Sequence, residues 1–468
     1  MKKKQHKYIY RYFCAFIQIT IATFMFAVTW IQFVKVNNQT GHLTGTGNIV
    51  MAIGIYILLF SIVGNWLHAF KIGVDRKSSL MASVSLTALT INAIEVFLSM
   101  AITGQFRFFG EFLKRYSFLS VLQIFVLSLL VIPMVNIYRK KYPPLQILEV
   151  YGDYAHGLHH KMNSLSYKYH INKMVHYSIT NTELRKEIRK HDAVLISDVP
   201  SHNKNLILKT CVDLNKRVYF VPKISDVISA SAVKINLIDT PLFLIKDIGI
   251  NPLEQTIKRA TDIILSSIAL IILSPVLLIT AIAIKMDDGG PVFFRQERCT
   301  IGERRFMILK FRSMIVDAEK DGRPHPAGEK DDRITKVGRV IRATRIDELP
   351  QLINILKGDM SIVGPRPERV EHVKKYTDDI PEFTFRSKVK GGLTGYAQVY
   401  GKYNTTALDK LKLDLLYIMN YSLLLDLQII FETVKIIFQK DSTEGFSEEA
   451  QEKIMGAINT TSVGQENK

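Results

Sequence analysis

The sequence predicts a membrane protein in three parts: a four-helix transmembrane bundle over residues 1–142, a Rossmann-like α/β domain over 143–248, and a mainly α-helical domain over 251–440. Four apolar stretches open the chain, each close to the roughly 20 residues needed to cross a bilayer. Behind them short β-rich runs alternate with polar helical ones, the pattern of a small parallel sheet. A fifth apolar stretch, interrupted by Ser274-Pro275, then leads into a basic region crowded with short motifs.

The apolar stretches run Cys14 to Val34, Ile49 to Phe70, Leu80 to Ile102 and Phe118 to Ile137. The first is too long for a removed signal peptide and lacks a small-residue cleavage site, so it reads as an anchor. The N-terminal MKKKQHKYIYR, the Lys71 to Lys77 loop and Tyr138 to Lys141 are basic, whereas the Lys35 to Asn48 loop has one lysine. Both ends of the bundle are therefore expected on the cytoplasmic side. Arg107, Lys114 and Arg115 in the loop from Thr103 to Ser117 count the other way and are outvoted. Asn92 and Glu95 fall within the third stretch; an intramembrane acid invites a functional reading, and polar packing between helices is the simpler one.

In the second part, Leu145–Gly152, His191–Asp198 and Lys216–Pro222 read as strands, and Thr182–Lys190 and Asn203–Leu214 as helices. The first strand runs into GDYAHG, which lacks the G-x-G-x-x-G phosphate turn, so a dinucleotide is not implied. Regulation or dimerisation is the expected role, with a homodimer as one outcome.

The formal charge of +18 suits an anionic membrane surface or a phosphate-rich ligand. No RNP-type or zinc-finger pattern occurs, so nucleic acid is not an expected partner. Cys14, Cys211 and Cys299 are scattered and lack metal spacing, as expected for soluble parts in a reducing compartment.

The run DELPQLINILKGDMSIVGPRPE, Asp347 to Glu368, holds the densest chemistry. Pro350 belongs in a helix's first turn and Gly358 just past its end, which predicts a helix from about Glu348 to Lys357. Asp347 and Glu348 would then lie at its N-terminus, where free amides and the helix dipole attract anions. Two readings stay open for the pair: an N-cap with a first-turn acid, or a reactive pair with Asp347 as a nucleophile. Arg366 stands between Pro365 and Pro367, whose fixed φ angles limit the entropy lost on binding. With Arg295, Arg298, Lys310, Arg312, Arg333, Arg339, Arg342 and Arg345 it forms a set whose guanidinium forks match phosphate oxygens.

Around this run lie KRATD (Lys258 to Asp262), GPVFFRQER (Gly290 to Arg298), LKFRSM (Leu309 to Met314), DAE (Asp317 to Glu319) and DDRITKVGR (Asp331 to Arg339). Together these motifs resemble the bacterial sugar transferase family, the polyprenyl-phosphate phosphoglycosyl transferases, over about Asn251 to Lys440. The preceding helices and Rossmann-like domain resemble the family's large form. The resemblance implies transfer of a hexose 1-phosphate from a UDP-sugar to undecaprenyl phosphate with release of UMP, as the initiating step of exopolysaccharide or capsule synthesis. It implies Asp347 as the nucleophile that carries a covalent phosphosugar, and Mg2+ held by Glu348. Arg366, Arg298, Lys310, Arg312 and Arg333 would take substrate phosphate or nucleotide, and Lys258 and Arg259 the polyprenyl phosphate. The expected location is the bacterial inner membrane, multi-pass and in contact with lipid, with the catalytic domain cytoplasmic.

That location makes the fifth apolar stretch decisive, because a fifth span would carry the motif-rich domain across the bilayer. Proline at 275 removes a helix hydrogen bond, and Ser274 can re-satisfy freed backbone groups. Basic residues flank both ends, Lys258 and Arg259 before and Lys285 after. With the resemblance, residues 256–286 are read as a re-entrant helix-break-helix returning to the side it entered. Farther on, Lys390–Lys402 resembles a turn-rich segment of the family, and Leu413–Phe438 reads as amphipathic helices lying on the membrane because of Asp414, Asp426, Glu432 and Lys435. The tail over 441–468 is polar and expected to be disordered. Gly391, Lys402 and Asp288 depart from the family pattern, where proline, arginine and serine are usual. A non-catalytic, membrane-anchored assembly or regulatory protein of polysaccharide export is the alternative; it would be signalled by loss of Asp347, Glu348 or Arg366, and all three are present. Direct transfer by a polytopic enzyme would need many more apolar stretches than this chain has.

Overall fold

A computed structural model describes residues 2–37, 46–103, 106–152, 158–245, 248–316, 333–402 and 405–437. The expected disordered tail, the DAE motif and Asp331 lie outside these residues. The chain divides into two compact units, the first ending at Val221 and the second beginning at Pro222.

The first unit opens with helices α1 (Lys2–Asn37), α2 (Thr46–Trp66), α3 (Lys77–Thr103) and α4 (Phe109–Lys141). All four are long and apolar enough to cross a bilayer. Phe26, Tyr56, Phe60, Val84, Ile91, Leu119 and Leu127 pack the bundle interior, while Phe16, Val50, Phe97 and Phe125 stay on its outside, the arrangement a lipid solvent requires. Asn92 Nδ2 donates to Ser120 Oγ and Gln123 Oε1, each at 2.9 Å. Gln123 Nε2 in turn donates to Ala22 O at 3.0 Å and Tyr56 Oη at 2.8 Å, so one polar knot joins all four helices. Interhelical side-chain bonds of this kind hold membrane helices together where the hydrophobic effect does not.

Next comes a parallel sheet: β1 (Leu145–Tyr151), α5 (Leu158–Asn163), β2 (Tyr169–His176), α6 (Asn181–Lys190), β3 (Ala193–Ser197), α7 (Ser201–Asp213) and β4 (Arg217–Phe220), in the order β2-β1-β3-β4. The central β3 is buried along its whole length, which is why AVLIS is apolar throughout. The strands and helices expected here are present with ends shifted by one or two residues. Strand β2 and helix α5 were not anticipated. β2 lies at the sheet edge with only Ile171 buried, so its HINKMVH sequence carries no apolar run.

The second unit begins with α8 (Ile224–Ala230), whose Val227 packs on Phe383, Leu411 and Leu415. The antiparallel hairpin of β5 (Val233–Leu237) and β6 (Thr240–Leu244) follows, then α9 (Pro252–Asp288). The expected helix-break-helix over 256–286 is instead one helix. Pro275 has no N–H to reach Ile271 O, and Ser274 Oγ donates to that carbonyl at 2.8 Å, so the serine replaces the missing bond and the helix carries on. Asn251 caps the start, accepting from Glu254 N at 2.9 Å, and Gly289 closes the end in the left-handed region.

Beyond α9 lie the antiparallel pair β7 (Phe293–Cys299) and β8 (Arg305–Phe311), α10 (Lys336–Ala343), a 3-10 turn over Ile346–Glu348, α11 (Gln351–Lys357), β9 (Ser361–Val363), α12 (Val370–Asp379), β10 (Gly392–Thr394), α13 (Tyr396–Tyr400), α14 (Ala407–Met419) and α15 (Leu423–Ile437). The α-helix expected from Glu348 starts three residues later. Pro350 cannot donate back to Ile346, so the chain closes with i to i+3 bonds, Leu349 N to Ile346 O among them, and Asp347 and Glu348 sit in the tighter turn. Asp414, Asp426, Glu432 and Lys435, which suggested helices wetted on the membrane, are all buried. Each is paired: Asp414 with Arg386, Asp426 with Lys258, and Glu432 with Lys435.

Candidate active site

Strand β8 and the loop after β9 bring two cations to one carboxylate. Glu348 Oε1 accepts from Lys310 Nζ and from Arg366 Nη2, each at 2.8 Å. The Arg366 loop is held by backbone packing: β9 pairs in parallel with β10, Gly392 N donates to Pro365 O at 2.9 Å, and a Cβ on Gly364 would meet Lys390 O at 2.4 Å. A side chain at Gly364 would push the two strands apart.

Behind the loop is a second ion cluster. Arg386 Nη2 donates to Arg366 O at 2.9 Å, and Arg386 Nε to Asp414 at 3.0 Å. Lys410 Nζ reaches Glu368 at 2.8 Å. Arg298 is half-buried beside it, with Nη1 on Pro367 O at 3.2 Å and, among the described residues, Nε without a partner. Burial and then the neighbouring Arg366 push its guanidinium down to about 10.

The adjacent acids live in opposite environments. Burial alone would raise the Glu348 carboxyl, but Arg366 and Lys310 overcome it and hold Glu348 ionised, well below the usual carboxylate range. Burial and the negative neighbour Glu348 raise Asp347, against the pull of Lys310, Arg342 and Arg345. Among the described residues no hydrogen bond or ion pair holds the Asp347 carboxylate. It sits just after Arg345, a non-glycine residue at φ 59°, so the turn that presents it is conformationally costly. A pinned anion beside an unpinned one is the division of labour expected of a reactive pair.

Of the expected site residues, Asp347, Glu348, Lys310, Arg366 and Arg298 come together. Arg312 does not: its guanidinium is spent on the Asp288 carboxylate and Pro291 O, tying the end of α9 to β8. Arg333 accepts from Ile315 N through its carbonyl, across the Met314–Ile334 bridge. Lys258 and Arg259 also need re-reading. Lys258 is buried against Asp426 at 2.5 Å, and Arg259 donates to Ile355 O and Leu356 O at 2.6 and 2.7 Å. Both cations clamp α9 to its own unit and leave little to offer a lipid phosphate. Sequence reading missed Arg386, Lys410 and Asp414. The signal was there: Asp414 falls on the apolar stripe of α14 with Leu411, Leu415 and Ile418, where a charge requires a buried partner.

Residues 253–440 match the family described as Bacterial sugar transferase. A UDP-N-acetylgalactosamine-undecaprenyl-phosphate N-acetylgalactosaminephosphotransferase of Aeromonas hydrophila is 35% identical over 329 residues, 69% of this chain and 74% of that protein. The chain belongs to the bacterial sugar transferase family. A second relative of this sugar transferase, the UDP-glucose:undecaprenyl-phosphate glucose-1-phosphate transferase of Klebsiella pneumoniae, is 36% identical over 344 residues, 71% of this chain and 70% of that one. The exopolysaccharide production protein ExoY of Rhizobium meliloti is 34% identical over 213 residues, which make up 42% of the sugar transferase described here but 93% of ExoY.

Proposed function

We propose that this sugar transferase moves a hexose 1-phosphate from a UDP-sugar to undecaprenyl phosphate and releases UMP, through a phosphosugar carried on Asp347. The observation that carries this reading is the contrast between Glu348, held by Lys310 and Arg366, and its unpinned neighbour Asp347. An Asp347 oxygen attacks the β-phosphorus; the new O–P bond forms as the bond from that phosphorus to the bridging oxygen breaks, and the electron pair leaves on UMP. A phosphate oxygen of the polyprenyl acceptor then attacks the same phosphorus, breaking the acyl phosphate and restoring the Asp347 carboxylate. Splitting one difficult transfer into two is the gain of covalent catalysis. Lys310 and Arg366 are positioned to take phosphate charge as it develops, and half-buried Arg298 adds positive potential behind them.

A site for Mg2+ fits the donor chemistry here: the ion is content with one or two carboxylates completed by substrate phosphate and water. Glu348, kept ionised, is the residue that would hold it. Among the described residues no larger cluster of acids, histidines or cysteines exists for a metal. When bound, the ion would lower the charge of the diphosphate facing the nucleophile.

The reading places the catalytic unit on the cytoplasmic face of the bacterial inner membrane, with α9 made re-entrant by a bend at Pro275 that keeps its backbone helical. Supporting this, both ends of α9 are tied to one unit by closely connected anchors. Arg259 binds Ile355 O; the next residue, Asn354, accepts from Leu309 N; and three residues on, Arg312 holds Asp288. Ends separated by about 30 Å of hydrocarbon could not share such neighbours within a folded polar domain. Exopolysaccharide or capsule initiation follows as the proposed role. In the test, membranes receive labelled UDP-glucose or UDP-N-acetylgalactosamine, the donors in the two relatives' names, without acceptor. One equivalent of UMP and a label on the peptide containing Asp347 are expected; an Asp347→Asn protein that still traps label would refute the mechanism.

A further inference from the structure

Outside the active site, the parallel sheet of the first unit contains two buried polar groups with no partner among the described residues. Glu149 on β1 is 3% exposed and Ser197 on β3 is 0% exposed. Glu149 Oε2 and Ser197 Oγ make no hydrogen bond. Such orphans are uncommon, because burying an unpaired carboxyl or hydroxyl costs free energy that nothing returns.

Their placement is what gives them meaning. Leu148, Val150, Val194 and Ile196 pack with Leu184, Ile188, Ile207 and Cys211 on the face of α6 and α7, whereas Ile147, Ala193 and Leu195 pack with Leu158 and Met162 on the face of α5. By strand alternation Glu149 and Ser197 both point to the α5 face. In register Glu149 stands opposite Leu195, and Tyr151 opposite Ser197, the last residue of β3. The strand order β2-β1-β3-β4 reverses direction between β1 and β3, and open parallel sheets bind ligands outside the carboxyl ends of their strands at that switch point.

We propose that the carboxyl ends of β1 and β3, on the α5 face, bind a neutral polyhydroxylated ligand, a sugar, whose hydroxyls bond Glu149 and Ser197. A carboxyl group accepts from adjacent hydroxyls, and its protonated form donates as well, while a serine hydroxyl does both. A phosphate would set anion against carboxylate, and the glycine-rich turn that cradles one is missing after β1. Burial alone, with no charged neighbour, pushes Glu149 up to about 7, so the group is set to bond neutral partners. Tyr151, at the rim on the same face, has its ring 5.5 Å from that of His176, edge to face, offering an aromatic flank for a sugar ring. This site is distinct from the one around Asp347 and does not rest on the reaction proposed there.

Hydrogen exchange of the full chain in detergent tests the proposal, with D-glucose, D-galactose, UDP-glucose and UDP as probes. At ten times its dissociation constant a bound probe slows local opening about tenfold. The expected result is slowed exchange in peptides covering 145–152 and 193–200 with a free sugar or UDP-glucose, lost in Glu149→Gln and Ser197→Ala proteins. Peptides covering 345–368 in those variants should respond to UDP-glucose as in the parent protein, which separates this site from the active one. Protection by UDP alone, protection unchanged in both variants, or no protection by any probe would each overturn it. So would a Glu149→Leu protein that is more heat-stable and keeps its sugar response.

Discussion

Arg386 donates to the backbone carbonyl of Arg366 at 2.9 Å while its other edge is held by Asp414. The guanidinium that meets Glu348 is therefore positioned by a second, more deeply buried guanidinium. Removing Asp414 strands Arg386 without its partner, and breaking a buried pair from one side costs about 3–5 kcal/mol. Asp414→Ala should lower the thermal midpoint markedly. Asp414→Asn, which keeps a polar acceptor, should retain most stability and instead raise KM more than it lowers kcat. Equal loss of both parameters would exclude a positioning role.

Glu348 and Asp347 should fail differently. Asp347→Asn should remove the covalent adduct altogether. Glu348→Gln leaves Lys310 and Arg366 without their shared anion, and should slow UMP release by roughly 10²–10³, the scale of losing one electrostatic element. The adduct should still form on long incubation. Mass spectrometry of the 345–368 peptide distinguishes the two.

The acid limb of the pH-rate profile reports Asp347. Its folded pKa is raised, so it stays protonated, and unable to attack, to a higher pH than a free aspartate near 3.9. Activity should fall as pH drops through that raised value. Arg342 and Arg345 oppose the shift, so replacing either with Gln should move the limb to still higher pH. A limb that stays in place would remove both residues from the electrostatics of the turn.

Glu149 ties the sheet's stability to pH. Its pKa is about 7 when folded against 4.5 in a free side chain, so the native state holds the extra proton between those values. The stability that Glu149 contributes should therefore be fullest below pH 4.5 and decline as pH rises to about 7, by on the order of 3 kcal/mol. Exchange protection of β1 and β3, corrected for intrinsic rates, should show this slope, and Glu149→Gln should abolish it.

For α9, Ser274→Ala strands Ile271 O and should cost about 1–3 kcal/mol. Adding Pro275→Ala restores the backbone N–H and should recover most of that loss. Single cysteines at Asn251 and Gly290, in a protein without its three native cysteines, should react with an impermeant maleimide only from the cytoplasmic side. Labelling from opposite sides would sink the re-entrant reading.

The bundle and most of the sheet were legible because apolar length and strand–helix alternation are one-dimensional signals. β2 was not, because an edge strand needs no apolar run. Asp347, Glu348 and Arg366 were readable from prolines and charge, yet the turn around Asp347 was misjudged, since Pro350 excludes a bond that the helix pattern assumes. Lys258, Arg259 and Arg312 look alike in sequence to Lys310 and Arg366. Their partners Asp426, Ile355 and Asp288 separate them, and those are facts of tertiary contact.

The bond from Lys258 to Asp426 joins residues 168 positions apart. At bacterial synthesis rates of roughly 5–20 residues per second, about 10–30 s pass between the making of the two ends. For most of that interval α9 exists as an apolar helix without its clamp. Whether it enters the bilayer as a full span or turns back is thus decided before Asp426 exists, so the flanking charges and Ser274-Pro275 must set the topology, and the clamp can only preserve it.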